Sequence, residues 1–449
     1  MTDTAITAVL AWEALDSRGN PTVGCEVRLG DGSRGEATVP AGASTGRHEA
    51  RELRDGGERY RGRGVRAAVA NAAGTLADAV LGLDATDQQK VDDALRHADG
   101  TDDLSRTGAN AVLAVSVATA IAAADAADQP LWRAVCQSEP LLPLPMVNII
   151  SGGAHAGRSI DVQDFLAVPL AARRFSEAIE WAWRVRAGTA EEMASRGLPT
   201  ALIADEGGLS AALPSNRAAL DLLVRGIERA GLRPGQDVGI AVDIAATQFL
   251  SARGTYVLAA ENRELSAREL VEELRDWCEH YPIVSVEDAL AEDDWDGWRT
   301  ATERLGERQL LGDDLFATNP GRLTRGIDAH VANAVLVKPN QIGTLSSART
   351  VVGLAQEAGY ATVLSARSGE TEDSWLADLA VGWRTGQLKI GSTMRSERTA
   401  KWNRLLRLEA ELGADRVGYA GAEVIRPRRI SGSADPQQTS RSSADQPVT

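Results

Sequence analysis

The segment 238–391 constrains this chain more than any other, because it repeats one chemical pattern on successive apolar runs. Each run is short and ends in a charged or anion-binding residue: VGIAVD at Asp243, PIVSVED at Glu287 and Asp288, RQLLGDD at Asp313 and Asp314, and NAVLVK at Lys338. ATVLSARSG then carries Arg367 and Ser368, and LKIG contains Lys389. From Glu287 onward the marks recur roughly every 22 to 30 residues, the period of one strand plus one helix. The pattern predicts an α/β fold whose core is a (β/α)8-type barrel, with the charged groups gathered where strands end and loops begin. Acids, two lysines and an Arg-Ser pair would then share one mouth.

A chain of 449 residues exceeds one small core and predicts two domains. The net charge of −15 argues against nucleic acid and against an anionic membrane surface, both of which want a basic face. An acidic protein still binds an anion where a bound cation reverses the local sign. Cys25, Cys136 and Cys278 are odd in number and widely spaced, so they predict reduced thiols of a cytoplasmic protein, not a disulfide framework or a zinc site. The first residues, MTDTAITAVLAWEALD, lack the basic and long apolar regions of a signal peptide, and the longest apolar run, 112–124, is too short to span a bilayer.

Along the chain, ITAVLAWEAL, TVGCEVRL and SRGEATV read as a β-meander joined by DSRGNP and GDGS turns. The loop PAGASTGRHEARELRD (40–55) is rich in small residues that let backbone approach a ligand, and reads either as a surface connection or as a lid. Helical spacing fills 65–83 and 107–127, with Thr107 as a cap and small residues for close packing. SEPLLPLP is a proline-rich linker, which sets the expected organisation: an α+β capping domain over 1–137, a barrel over 138–427 and a disordered polar tail over 428–449. In the second domain MVNII and DVQDFLAV are strands around the glycine-rich loop that holds His155, and Gln163 and Asp164 lie on the second. Asp205 and Glu206 enter a Gly-Gly loop, where acids serve as turn formers as often as site residues.

The chemistry follows from residue type. Asp243, Glu287 and Asp313 offer only hard oxygen donors from separated strand ends, which suits Mg²⁺ with positions left for water and substrate. Lys338, beside such a cation and near Lys389, is expected to have a lowered pKa so that its neutral amine accepts a proton. Arg367 and Ser368, in a loop leading into a helix, suit a phosphoryl group. The neighbouring Asp288, Glu292, Asp293, Asp294 and Asp314 read as loop solvation or caps.

The motifs DSRGNPT, GASTG, GGAHAG, ADEGG, VEDALAEDDW, GDDLFATNP, KPNQIGTL, RSGETEDSW and MRSER resemble those of the enolase family, from about residue 6 to about 413. The resemblance implies a barrel with partly antiparallel early strands under an N-terminal α+β cap, assembled as a homodimer or a larger even-numbered homo-oligomer. It implies two Mg²⁺ ions per site, the first held by Asp243, Glu287 and Asp313 and the second helped by Ser44. Lys338 would be the base that removes an α-proton, and Glu206 the acid that assists departure of the β-hydroxyl. His155, Arg367, Ser368 and Lys389 would bind a small phosphorylated or phosphonylated glycerate, with Gln163 and Asp164 nearby.

The chain departs from the family pattern at Ala366, where histidine is usual, and at Asp164, where glutamate is usual. Ala289 replaces a proline, and GST precedes MRSER in place of Gly-Ala-Pro. A lost imidazole at the phosphoryl end is worth roughly 1–3 kcal/mol of transition-state binding. The expected function is therefore dehydration of a 2-phosphoglycerate analogue with a larger phosphorus end, such as the precursor of carboxyphosphonoenolpyruvate in phosphonate antibiotic biosynthesis. The alternatives are the phosphopyruvate hydratase of glycolysis and a catalytically silent structural or binding relative.

Overall fold

The computed structural model describes residues 3–43, 45–136 and 138–425. Ser44, the end of the expected first domain and the expected tail 428–449 include or lie among positions outside the described residues. The chain begins with an antiparallel meander of β1 (Ile6–Leu15), β2 (Pro21–Leu29) and β3 (Arg34–Thr38), in the order of the sequence. Against it packs α1 (Ala109–Ala126), an alanine-rich helix buried on nearly every side. Contact is close because β3 carries Gly35, where a Cβ would lie 2.1 Å from the carbonyl oxygen of Ala118. This helix is the one described element long and apolar enough to cross a membrane, and 78% of it is buried within the protein. The expected cap at Thr107 is not made: its N–H and hydroxyl donate to Asp99, and Gly108 precedes the helix. The expected helix 65–83 is interrupted by a π-helical turn at Ala72–Leu76.

The barrel closes through eight strands: β4 (Leu144–Ser151), β5 (Asp164–Val168), β6 (Gly239–Asp243), β7 (Ile283–Glu287), β8 (Gln309–Gly312), β9 (Ala334–Val337), β10 (Ala361–Ser365) and β11 (Gly386–Gly391). From β6 to β11 and on to β4 every pairing is parallel, whereas β5 runs antiparallel to both neighbours. The reversal has a local cause. The connection 152–163 contains no crossover α-helix of the kind that usually joins parallel strands, and the chain returns antiparallel. Two helices, α2 (Phe175–Ser195) and α3 (Asn216–Arg229), then carry the chain to β6. Reversal also puts the first residue of β5 at the mouth, so Asp164 pairs in register with Asp243, and Asp243 with Glu287. The three cysteines are free, Cys25 and Cys278 being buried.

Candidate active site

Glu287 and Asp243 end adjacent parallel strands, and the side chain of Lys389 reaches them from across the barrel. Its Nζ donates to Asp243 Oδ2 at 2.7 Å and to both oxygens of Glu287 at 2.8 and 2.9 Å. Gln163 Nε2 donates to the same Asp243 oxygen at 3.0 Å. Asp313, the residue immediately after β8, takes the ammonium of Lys338 on Oδ2 and Gln341 Nε2 on Oδ1 at 2.9 Å. Lys338 is extended (φ −123°, ψ 106°), as the following Pro339 requires. The expected acids and lysines thus meet in one place.

The electrostatics differ from expectation at Lys338. Burial is the largest influence and pulls its pKa down, but the Asp313 carboxylate and other acids, Glu287 among them, together prevail, and the net direction is upward. Lys389 is likewise driven well up, against burial, by Asp243 and Glu287. Glu287 is held well above the usual carboxylate range by burial and then by the charge of Asp243, with Lys389 opposing. A buried all-oxygen set in which like-charge repulsion raises Glu287 even with Lys389 bound fits a hard divalent cation, and Asp243, Glu287 and Asp313 are the residues that would hold Mg²⁺. Asp288 and Asp314 stand close to Asp313, one carboxylate oxygen from each of the three lying within 4.8 Å of the others. Asp288 is engaged as a clamp: its two oxygens accept the backbone N–H groups of Asp313 and Asp314, each at 2.9 Å. Read as solvation from the sequence, it fixes the turn that aims Asp313.

A second group joins His155, Asp164 and Glu206. His155 Nδ1 lies 2.8 Å from Asp164 Oδ2, and its Nε2 lies 3.9 Å from Glu206 Oε1. Burial opposes charge on this imidazole, yet Asp164 and then Glu206 raise its pKa to about 9. Burial also raises Asp164, so the two groups compete for one proton. Asn148 and Ser151 donate to the other oxygen of Asp164, which favours the carboxylate and leaves the proton on His155. Glu206 shifts downward: burial raises it, but His155, Arg398, Lys389 and Lys338 together prevail. The expected general acid is therefore a carboxylate at rest, with the proton on its histidine neighbour. Because the folded pKa of His155 exceeds its ordinary 6.5, its stabilisation is complete below about 6.5 and is lost as pH rises through about 9. The melting-temperature gap between the protein and His155→Gln should shrink across that interval; a constant gap would contradict the assignment.

Arg367 is buried and raised by Glu49 of the loop 40–55, against burial. Its Nη1 donates to Glu49 Oε2 at 2.8 Å and to Asn340 Oδ1 at 2.9 Å. Ser368 Oγ accepts the N–H of Ala43 at 2.7 Å. The following helix begins only at Trp375, so any anion-binding role of this loop rests on the guanidinium and hydroxyl and not on an adjacent helix N-terminus. Ala366 is 4% exposed and packs with the apolar core. Arg398, part of the MRSER motif but given no role by the sequence, is fully buried and donates to the carbonyls of Arg367, Ile390 and Ser368, tying the loop to β11. The loop 40–55 also rests on the acids read as solvation: Arg47 N donates to Glu292 at 2.9 Å, and His48 and Arg47 meet Asp293 at 2.9 and 3.0 Å. Asp294 does cap the next helix, accepting the N–H of Gly297. A cavity of about 530 Å³ opens at the other end of the barrel among Gln309, Asn333, Tyr360 and Trp383, and no predicted site residue lines it.

The family model of the enolase N-terminal domain matches residues 6–135, and that of the enolase C-terminal TIM barrel domain matches residues 139–428. An enolase of Acidothermus cellulolyticus is 50% identical over 431 residues, covering 96% of this chain and 99% of that protein. With two family models spanning nearly the whole chain and this likeness along its length, the chain belongs to the enolase family of hydro-lyases.

Proposed function

We propose that the protein is a phosphopyruvate hydratase, removing water from 2-phosphoglycerate to give phosphoenolpyruvate. The observation that carries this is the ion-paired cluster of Asp243, Glu287 and Asp313 with Lys338 and Lys389 at one end of the barrel. The 50% identity to a protein named enolase supports the ordinary substrate, and so corrects the expectation that a specialised analogue comes first. A silent relative would have no physical use for two lysines buried among acids, since the desolvation of buried charges can outweigh what their pairing returns.

In this reading Lys338 removes the α-proton, while Arg367, Ser368 and Lys389 bind the substrate with Gln163 alongside. Glu206 and His155 together supply the proton for the departing hydroxyl, with Asp164 orienting the imidazole. Mg²⁺ held by Asp243, Glu287 and Asp313 would stabilise the charge that develops on the substrate carboxylate as the proton leaves. A second Mg²⁺ near Ser44, a cytoplasmic setting, an even-numbered homo-oligomer and a division into a cap over 1–137 and a barrel over 138–427 complete the proposal.

A second reading rests on Ala366 and Asp164: a glycerate whose phosphorus bears an extra carboxylate would present different contacts at the phosphoryl end. One experiment separates the two. With Mg²⁺ and 2-phosphoglycerate, the purified protein should show the rising ultraviolet absorbance of an enol phosphate at a kcat within the ordinary enzyme range, about 1–10³ s⁻¹. No rise with 2-phosphoglycerate, together with dehydration of the carboxyphosphonate-bearing glycerate, would reverse the order of the readings.

A further inference from the structure

Glu49 belongs to the loop 40–55, yet its side chain is only 6% exposed and lies on Arg367. Oε2 accepts from Nη1 at 2.8 Å and Oε1 from Nη2 at 3.2 Å, a two-point contact. Oε1 also accepts the N–H of Gly46 at 2.9 Å and Nε2 of Gln341 at 3.4 Å, and this same Gln341 holds Asp313. Asn340 Oδ1 receives a further bond from Nη1 of the arginine. A guanidinium has two bidentate edges, Nη1/Nη2 and Nε/Nη2. Its terminal Nη1/Nη2 fork already holds the Glu49 carboxylate.

We propose that Glu49 is a specificity-determining residue of the phosphoryl subsite: it occupies the Arg367 fork as an internal competitor, and the substrate's phosphoryl group binds by displacing it. The inference rests on the assignment of Arg367 to the phosphoryl end. Its consequence is selection by charge. Exchanging a buried monoanionic carboxylate for another monoanion gains little, whereas a dianionic phosphoryl group with three acceptor oxygens gains both charge and hydrogen bonds. The opposite role, a carboxylate that merely holds the guanidinium in position, predicts the opposite outcome on its removal.

The test measures calorimetric binding of inorganic phosphate to the full chain with Mg²⁺ present, and KM for 2-phosphoglycerate where turnover is seen. In Glu49→Gln, which keeps shape and removes charge, phosphate should bind about tenfold tighter, about 1.4 kcal/mol, and KM should fall in step while kcat is not raised. Glu49→Ala should move phosphate affinity in the same direction, and melting curves check that both variants are folded. Unchanged or weaker phosphate binding in both folded variants overturns the proposal. Arg367→Gln separates this failure from failure of the underlying reading: if phosphate still binds as tightly without the guanidinium, the subsite lies elsewhere and the assignment falls together with the proposal built on it.

Discussion

Lys338→Ala is expected to lower kcat by at least about 10³-fold, near the upper part of the range for a positioned general base, while the far-ultraviolet circular dichroism stays unchanged. The fold should survive because the ammonium lies at the barrel mouth on Asp313 and not in the apolar core. Gln341 still donates to Asp313, and Arg367 and Lys389 still favour its ionised form. Loss of turnover alone would not identify a base, since removing any neighbour of Asp313 disturbs the same carboxylate. The decisive reading is exchange of the substrate's α-hydrogen with deuterated solvent, which should continue in the unmodified protein and stop in the variant. An alanine variant that still exchanges would show that another group takes the proton.

The upward shift of Lys338 explains why the sequence alone misjudged its resting state. A sequence shows that a lysine is near acids and near another lysine, but not which neighbour is closest. Here Asp313 is in direct contact with the ammonium, while Lys389 spends its charge on Asp243 and Glu287. The site was legible where chemistry falls at the ends of periodic apolar runs, as at Asp243, Glu287, Asp313 and Lys338, with Lys389 inside the last run. The barrel was legible from the same period, which carried no information on strand direction. Direction at β5 depends on a missing crossover helix, and the antiparallel early strands came from the resemblance.

What escaped the sequence acts through side-chain bonds between distant positions. Glu49 and Arg367 are separated by 318 residues, and nothing local marks the glutamate as buried. Asp288 was set aside because it stands beside a stronger candidate, and its two backbone acceptances are visible only in the turn itself. Arg398 sits in a motif that the resemblance singled out, but its use as a carbonyl-binding brace depends on three segments meeting. The helix Gln88–Asp99 went unread because its surface is strongly polar, although Asp87 caps it and Val91 and Leu95 mark its buried side.

Lys389→Met should produce the largest loss of stability of any single change in the mouth, about 3–5 kcal/mol in protein freed of divalent cations. Methionine keeps most of the apolar stem, so packing is nearly conserved and the loss isolates the charge. The lysine side chain is 6% exposed and is hydrogen-bonded to two carboxylates that burial and mutual repulsion already strain. Without it, Gln163 is the remaining side-chain donor to Asp243 among the described bonds, and a neutral amide cannot balance two negative charges. An ion pair on the surface gives the scale for comparison. Arg407 and Glu411 are 73% and 45% exposed, and breaking that pair should shift stability by no more than about 0.5–1 kcal/mol. Urea denaturation of the two variants, Lys389→Met and Arg407→Ala, reads the contrast directly. Adding Mg²⁺ should raise the midpoint of Lys389→Met more than that of the unmodified protein, because a cation bound to the native acids stabilises by linkage and meets less opposing charge once the ammonium is gone. Equal midpoints for Lys389→Met and the unmodified protein without Mg²⁺ would mean that the two acids are not charged together, and the case for a cation site built on their repulsion would fail.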